Sequence, residues 1–94
     1  MTPLLWSAAF VRAHRRTVRR HPELRTKVAE TLRRLAVDPF DPRLHAHKLR
    51  GDLAGRWTCT VDYDNRVLFK FVEDTETGDE AILLLTMGTH DGVY

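Results

Sequence analysis

This chain of 94 residues has little cysteine and lacks the glycine-rich loops that bind phosphate. Its one cysteine, Cys59, cannot form an intramolecular disulfide, so the fold must depend on its apolar core, and we expect a reducing, cytoplasmic compartment. The patterns G-x-x-x-x-G-K and G-x-G-x-x-G do not occur. These absences argue against disulfide-rich secreted domains and against enzymes that bind nucleotides through glycine-rich loops.

Long apolar runs are missing as well. The longest uncharged apolar run covers residues 81–85, whereas a membrane span needs roughly 18 such residues. An arginine-rich stretch follows the first apolar residues instead of preceding them, which is the reverse of a signal peptide. We therefore expect neither a membrane partner nor export. A hydrophobic fraction of 43% with mixed charges predicts one small domain over residues 1–94.

The charged residues divide the sequence into two halves. Residues 1–50 carry twelve Lys and Arg against four Asp and Glu, a net of +8, and residues 51–94 carry three against nine, a net of −6. Arginine outnumbers lysine twelve to three, and its planar guanidinium binds phosphates or carboxylates through two parallel hydrogen bonds. The first half therefore suits a nucleic acid or an acidic protein partner, although a solvated helix face explains the same composition.

The first half also carries the periodicity of two helices. Ser7 is a suitable N-cap for a helix over about 8–20, and Pro22 fits the first turn of a second helix that ends near Ala36. A rigid loop with two prolines, residues 38–42, ends the helical part. The second helix has a one-sided apolar stripe formed by Leu24, Val28, Leu32 and Leu35.

After this loop the sequence changes to a strand pattern. A short apolar strand at residues 4–6 precedes the helices, and β-branched and aromatic residues predict three more strands over 56–61, 66–72 and 81–87. Turn-forming residues separate the last three strands. This order predicts an α+β fold in which a two-helix hairpin packs on a small, mostly antiparallel sheet of four strands.

Few side chains suggest chemistry on their own. Cys59 lies between two threonines in a predicted strand, where a buried thiol is a simpler interpretation than a nucleophile. His45 and His47 share one side of an extended segment, but no third ligand with metal-site spacing accompanies them. We therefore expect no metal ion or other cofactor.

As a group, several polar residues match the needs of RNA cleavage without a metal. That reaction needs a base for the 2′-hydroxyl proton, an acid for the departing 5′-oxygen and cations around the phosphorane. The candidates for proton transfer are His90, His47 and Asp64. The candidates for binding phosphate and RNA are Lys48, Arg50, Arg56 and Arg66, and those for stacking on a base are Tyr94 and Trp57.

With these residues in place, the sequence resembles the RelE/ParE toxin superfamily, and within it the YafQ-like branch of type II toxin–antitoxin systems. The resemblance follows the element order over nearly the whole chain and includes the loop at 38–40, the run at 47–51 and the strand residues 65–69. Its most specific part is the Gly-Thr-His tail with its terminal aromatic residue, at 88–94.

The resemblance implies a RelE-like fold and a ribosome-dependent endoribonuclease that cleaves messenger RNA and is neutralised by an antitoxin in a hetero-oligomer. It implies that His90 is the main catalytic acid or base, His47 a second group for proton transfer or phosphate, and Asp64 a further acid. Arg66 would face phosphate, and Tyr94 would pack against the substrate base. The basic helices would bind ribosomal RNA, and an acidic antitoxin would lie across the cationic site.

Three positions depart from the YafQ-like pattern. Thr60 stands where those enzymes have a histidine, Thr86 where they have an arginine and Asn65 where they have a tryptophan. Losing the arginine removes a charge-assisted contact to the developing phosphorane unless Arg66 or Arg50 replaces it. Two other functions therefore stay open. One is a ParE-like inhibitor of DNA gyrase without nuclease activity, and the other is a degenerate member that only binds an antitoxin or an operator.

Overall fold

Two helices and five strands make up the described part of the chain, which is residues 1–51 and 55–89 of a computed structural model. The helical elements are α1 (Ala8–Arg20), α2 (Leu24–Val37) and a short 3-10 helix (Pro42–Leu44). The strands are β1 (Leu4–Trp6), β2 (His47–Lys48), β3 (Trp57–Thr60), β4 (Asn65–Glu73) and β5 (Glu80–Thr89). The predicted α+β class and the order of the main elements are confirmed.

Helix α1 begins after Ser7, as the sequence predicts. The Ser7 hydroxyl accepts a hydrogen bond from the Phe10 N–H at 3.0 Å and donates one to the Leu85 carbonyl at 3.2 Å. One side chain therefore caps the helix and also ties its start to β5. The face of α1 that packs on the sheet carries Phe10, Ala13 and Val18, all of them buried.

Helix α2 buries the predicted apolar stripe, whose four members are all at most 7% exposed. The helix begins at Leu24, so Pro22 lies in the preceding turn and not in the first turn as predicted. The reason is local: the N–H of Leu24 donates to the carbonyl of His21 at 2.9 Å, three residues back. A hydrogen bond over three residues is typical of a turn, and the four-residue spacing of the α-helix starts only after it.

The five strands form one sheet in the order β1-β5-β4-β3-β2. Strand β1 is parallel to β5, and the other pairs are antiparallel. Because β1 pairs only with Ile82–Leu84, residues 85–89 of β5 extend beyond it. A bulge in β5 places Leu84 opposite Phe69 and Thr86 opposite Leu68, so Leu85 is the extra residue.

The sheet has five strands, and the prediction of four strands was wrong. The additional strand, β2, contains two residues, His47 and Lys48, which pair with Thr58 and Trp57. The N–H of Leu49 continues this pairing by donating to the Arg56 carbonyl at 2.9 Å. A two-residue strand has no periodicity that a sequence reading can detect, and its conformation is determined by the partner strand.

The hydrophobic core lies between the helices and one face of the sheet. Cys59 belongs to this core and is 0% exposed. The largest fully buried core side chains are Phe10, Leu35, Leu44, Phe69, Ile82 and Leu84. Neither described helix is long and apolar enough to cross a lipid bilayer.

Candidate functional site

The sheet face opposite the helices, which we call the open face, carries several of the predicted site residues. Residues directly opposite each other in antiparallel strands, and residues two apart in one strand, share a face. The first row across the open face is formed by His47, Thr58, Leu68 and Thr86, one from each of β2, β3, β4 and β5. The second row is formed by Thr60, Arg66 and Gly88.

His47 is exposed at one end of the first row. Its Nδ1 lies 3.2 Å from the carbonyl oxygen of His45, a residue with a left-handed backbone (φ 48°). Because a carbonyl oxygen only accepts, Nδ1 carries the proton in this hydrogen bond, and Nε2 is the atom through which a neutral ring takes up a proton. The contact with the His45 carbonyl therefore fixes the orientation of the His47 ring.

Metal binding receives no support from the side chains around these histidines. Within residues 1–51 and 55–89, no group of three His, Cys, Asp or Glu side chains is close enough to hold a metal ion.

Thr58 adjoins His47 in the first row and is completely buried. Its Oγ1 has no hydrogen-bond partner in the described part of the chain. A buried hydroxyl left in this state costs about 1–3 kcal/mol. A threonine in a strand gives no sequence signal, and the sequence analysis did not identify this residue.

Arg66 lies in the second row, and its guanidinium reaches back to the turn between β3 and β4. Its Nη1 donates to the main-chain carbonyls of Asp62, Tyr63 and Asn65 at 2.7, 3.0 and 3.2 Å. Arg66 therefore stabilises this turn. The phosphate contact implied by the resemblance stays a prediction for the rest of the guanidinium.

Asp62 organises the same turn. Its Oδ1 accepts hydrogen bonds from the N–H groups of Asp64 at 3.0 Å and Asn65 at 2.8 Å, and from the Asn65 side-chain amide at 3.0 Å. Partial burial raises the Asp62 pKa, but these hydrogen bonds outweigh it and lower the pKa below the usual value. Asp62 is therefore an ionised structural residue.

Asp64 is exposed in this turn and is not beside His47. His47 pairs with Thr58, and β3 continues through Thr60 before the turn begins. At about 3.4 Å per strand residue, Asp64 lies on the order of 10 Å beyond the first row. The structure therefore separates two of the three residues predicted to transfer protons.

The predicted RNA-binding cations Lys48, Arg50 and Arg56 are exposed and gather at the junction of β2 and β3. The hydrogen bond between Leu49 and Arg56 holds the two segments side by side. The Lys48 Nζ lies 5.7 Å from the centre of the Trp57 ring, a cation–π arrangement. By strand alternation, Lys48 and Trp57 face the helix side of the sheet, away from His47 and Thr58, and the Trp57 ring packs against Phe69 and Phe71. The structure therefore gathers the three cations at this edge of the sheet but does not place all of them on the face of His47.

His90 and Tyr94, two of the predicted site residues, lie outside the described residues. Thr89, the residue before His90 in the sequence, ends β5 and is exposed. The roles implied for His90 and Tyr94 stay predictions.

The structure adds a hollow that the sequence analysis did not predict, between the C-terminal half of α1 and the end of β5. We call it the α1–β5 hollow, and its volume is about 270 Å³. Its lining residues are Arg16, Thr17, Arg20, His21, Asn65, Thr86, Met87, Gly88 and Thr89. The available signal was the i,i+4 spacing of Arg16 and Arg20, which puts both on one side of α1.

A neighbouring hollow of about 300 Å³ has the opposite charge. It shares His21 and Thr89 with the α1–β5 hollow and adds Glu23, Asp62 and Asp64. The Nδ1 of His21 lies 3.5 Å from a carboxylate oxygen of Glu23. His21 therefore stands between a basic and an acidic surface.

A third hollow, of about 490 Å³, lies between the two helices and is lined by Val11, His14, Arg15, Val18, Arg19 and Arg25. Burial, with a smaller contribution from the charge of Arg25, lowers the pKa of His14. Its ring lies 5.2 Å from that of Trp6. His14 is therefore held as a neutral aromatic group at neutral pH.

No family model matches the sequence, and no curated protein matches it. Solved structures match it over almost its whole length. E. coli YafQ superposes with a TM-score of 0.79 at 17% identity, over 100% of this chain and 99% of YafQ. A YoeB/ParE toxin from Agrobacterium tumefaciens gives 0.77 at 17% identity, over 95% and 99% of the two chains.

The E. coli DinJ–YafQ toxin–antitoxin complex gives a TM-score of 0.77 at 17% identity, over 99% of this chain and 97% of the matched one. The chain therefore has the fold of the YafQ and YoeB/ParE toxins. The RelE-like fold expected from the resemblance is confirmed.

Proposed function

We propose that this chain is the toxin of a type II toxin–antitoxin module and that it cleaves messenger RNA on the ribosome. The observation that carries the proposal is the position of His47, exposed on the open face at the edge of the sheet where Lys48, Arg50 and Arg56 gather. Because one fold hosts unrelated activities, the agreement with YafQ supports the proposal only together with this site.

The proposed reaction is a metal-independent transesterification. A base takes the proton of the 2′-hydroxyl, the 2′-oxygen attacks the phosphorus, and the bond to the 5′-oxygen breaks as that oxygen takes a proton from an acid. The products are a 2′,3′-cyclic phosphate and a 5′-hydroxyl. His47, through Nε2, is one proton-transfer group, and His90, next in the chain after β5, is the other.

Electrostatic stabilisation in this proposal comes from the cations at the junction of β2 and β3. Lys48 and Arg50 offset the charge that develops on the phosphorane, and Arg56 binds the RNA backbone beside them. Tyr94 is the aromatic residue proposed to stack on a base. Trp57 packs against Phe69 and Phe71 and is not available for this role. Asp64 adds an acid at the far end of the open face.

An acidic antitoxin is the proposed partner of this toxin. The DinJ–YafQ complex supports the pairing, because YafQ has this fold and binds an antitoxin. The excess of exposed arginines on the helices supports an acidic partner. We propose that the complex forms in the cytoplasm and that the antitoxin covers the cationic side of the open face.

The test is induced expression in a bacterial host, with messenger RNA 5′ ends mapped with and without translation. The wild type should give new cuts that require translation, and His47→Ala should remove most of them because the ring supplies a proton-transfer group. His45→Asn is the matched control, since asparagine tolerates the left-handed backbone and leaves the carbonyl that orients His47. It should cleave like the wild type.

Two other outcomes correspond to the alternative functions. Thr60 and Thr86 both lie on the open face, so two of the three departures from the YafQ-like pattern fall within the candidate site. Growth arrest with intact messages would support a gyrase inhibitor. The absence of any arrest would support a protein that only binds an antitoxin.

A further inference from the structure

The α1–β5 hollow exists because β1 is short. Strand β1 covers β5 only as far as Leu84, and the chain passes through Ser7 directly into α1. The N–H of Ser7 donates to the Leu84 carbonyl at 3.3 Å, which holds the start of the helix at this point. The later turns of α1 therefore lie beside the end of β5, where no described strand covers its edge.

The charge of this hollow is one-sided. Arg16, Arg20 and His21 line it, and none of its described lining residues is acidic. Both arginines are exposed, and neither forms an ion pair with a carboxylate in the described part of the chain. Two guanidinium groups one helical turn apart, without an acidic partner, form a site for a doubly hydrogen-bonded anion.

The other lining groups are small and polar. Asn65, Thr86 and Thr89 contribute an amide and two hydroxyls, and Gly88 adds no side chain. The carbonyl end of a helix attracts cations, so α1 itself does not favour an anion here. Binding must therefore come from the two arginine side chains, which makes their removal decisive.

The hollow also adjoins the candidate active site. Thr86 belongs both to the first row of the open face and to this hollow, and Thr89 immediately precedes His90 in the sequence. Three strand spacings of about 4.8 Å separate β2 from β5, so the hollow lies about 14 Å from the strand that carries His47. An RNA strand that crosses the first row as far as Thr86 would reach the rim of this hollow.

We infer that the α1–β5 hollow is a second phosphate-binding subsite for the RNA, with Arg16 and Arg20 as its ligands. The inference rests on the proposed function for the identity of the RNA. Arg16 and Arg20 position the RNA and transfer no proton.

The experiment measures the binding of a 2′-O-methyl RNA 12-mer, which lacks the nucleophile and stays intact. Arg16→Ala/Arg20→Ala should weaken binding at least about tenfold, since hydrogen bonds to charged groups are lost. The slope of log affinity against log salt should become shallower by about 0.7, the value for one phosphate contact on a single strand. Thr86→Arg added to this variant should restore part of the affinity.

Arg12→Ala/Arg33→Ala is the matched control, because it removes two exposed helix arginines that do not line the hollow. Its salt slope should stay within about 0.3 of the wild-type value, well under the change expected when the phosphate contact in the hollow is lost. Arg16→Lys/Arg20→Lys keeps the charge and loses the paired guanidinium geometry, so its affinity should be intermediate. Circular dichroism identifies any variant that fails to fold, and the lysine variant then takes its place.

Equal losses of salt slope in the hollow and control variants would overturn the inference, because the arginines would then act only as general charge. Unchanged RNA affinity with weakened binding of a poly-glutamate peptide would also overturn it and assign the hollow to an acidic protein. The nuclease proposal is tested separately by the cleavage assay. Loss of cleavage with this binding pattern intact would contradict that proposal and leave the subsite standing.

Discussion

Thr58 and Cys59 are neighbours in β3 and face opposite sides of the sheet. Both side chains are completely buried, but the consequences differ. Burial raises the pKa of Cys59 to about 12, so the thiol stays protonated and inert in the core. The Thr58 hydroxyl instead lies on the face that carries His47 and lacks a hydrogen-bond partner in the described chain. The thiol is therefore compatible with the core, whereas the unpaired hydroxyl lowers stability.

Replacing Thr58 with valine tests this difference. Valine keeps the shape and removes the unpaired hydroxyl, so we expect Thr58→Val to raise the free energy of unfolding by about 1 kcal/mol. Urea denaturation measures this change. Thr60→Val is the control, because Thr60 lies two residues along the same strand and is only half-buried. It should change the free energy of unfolding by less than about 0.5 kcal/mol. A clear loss of stability in Thr58→Val would mean that the hydroxyl is paired in solution.

Helix α1 and strand β5 are the two elements whose relative position creates the α1–β5 hollow. Ser7 connects them, because its hydroxyl bonds both to the first turn of α1 and to the Leu85 carbonyl. The bulge at Leu85 lies at the same place. Helix capping and the geometry of the candidate site are therefore linked through one residue.

Ser7→Ala should lower the free energy of unfolding by about 1–2 kcal/mol, because it removes the N-cap and the bond to β5 together. Chemical denaturation gives the value. Thr26→Ala is the control, since this exposed threonine lies inside α2, where alanine is the better helix former. The control should leave the free energy of unfolding unchanged or raise it slightly. An equal loss of stability in both variants would contradict the role of Ser7 in connecting α1 to β5.

The turn between β3 and β4 should respond to acid through Asp62. The pKa of Asp62 is lower in the folded chain than its usual value of 3.8, so its contribution to stability is complete above about pH 4. That contribution is lost as the pH falls through the folded-state pKa. Unfolding measured between pH 2.5 and 6 should show a smaller acid loss for Asp62→Asn than for the wild type. Equal pH profiles would contradict this account.

The sequence predicts the helices well because their signals are local. The Ser7 cap and the spacing of Leu24, Val28, Leu32 and Leu35 depend only on near neighbours in the chain, and the structure agrees with both. Strand β2 escaped prediction because its two residues are extended only through pairing with β3. Local patterns are therefore readable, and pairing between distant segments is not.

The same limit applies to the candidate site. His47 was predicted from its type and neighbours, and it does lie on the open face. The separation of His47 from Asp64 and the meeting of Arg16 and Arg20 with Thr86 depend on strand order and on the path of α1. Residue types indicate which side chains can do the chemistry, and only the fold decides which of them meet.

At the scale of the whole molecule, charge is separated in space as well as in sequence. Exposed arginines cover the helices, and five acidic residues lie between positions 73 and 80, around the hairpin of β4 and β5. The longest dimension is 37 Å, whereas the Debye length is about 10 Å at 0.1 M salt. A polyanion near the helices is therefore screened from most of the acidic residues and meets a surface far more basic than the net charge of +2.

Ion-exchange chromatography at pH 9, close to the isoelectric point of about 9.0, tests this separation. The protein should still bind a sulfonate resin, because the arginines stay charged and the resin contacts the helical side. Arg12→Ala removes one positive charge from the helices, and Lys70→Ala removes one from the sheet. Arg12→Ala should lower the eluting salt concentration clearly more than Lys70→Ala. Equal shifts would show that net charge alone governs binding, and the helical surface would then lose its role in attracting RNA or an acidic antitoxin.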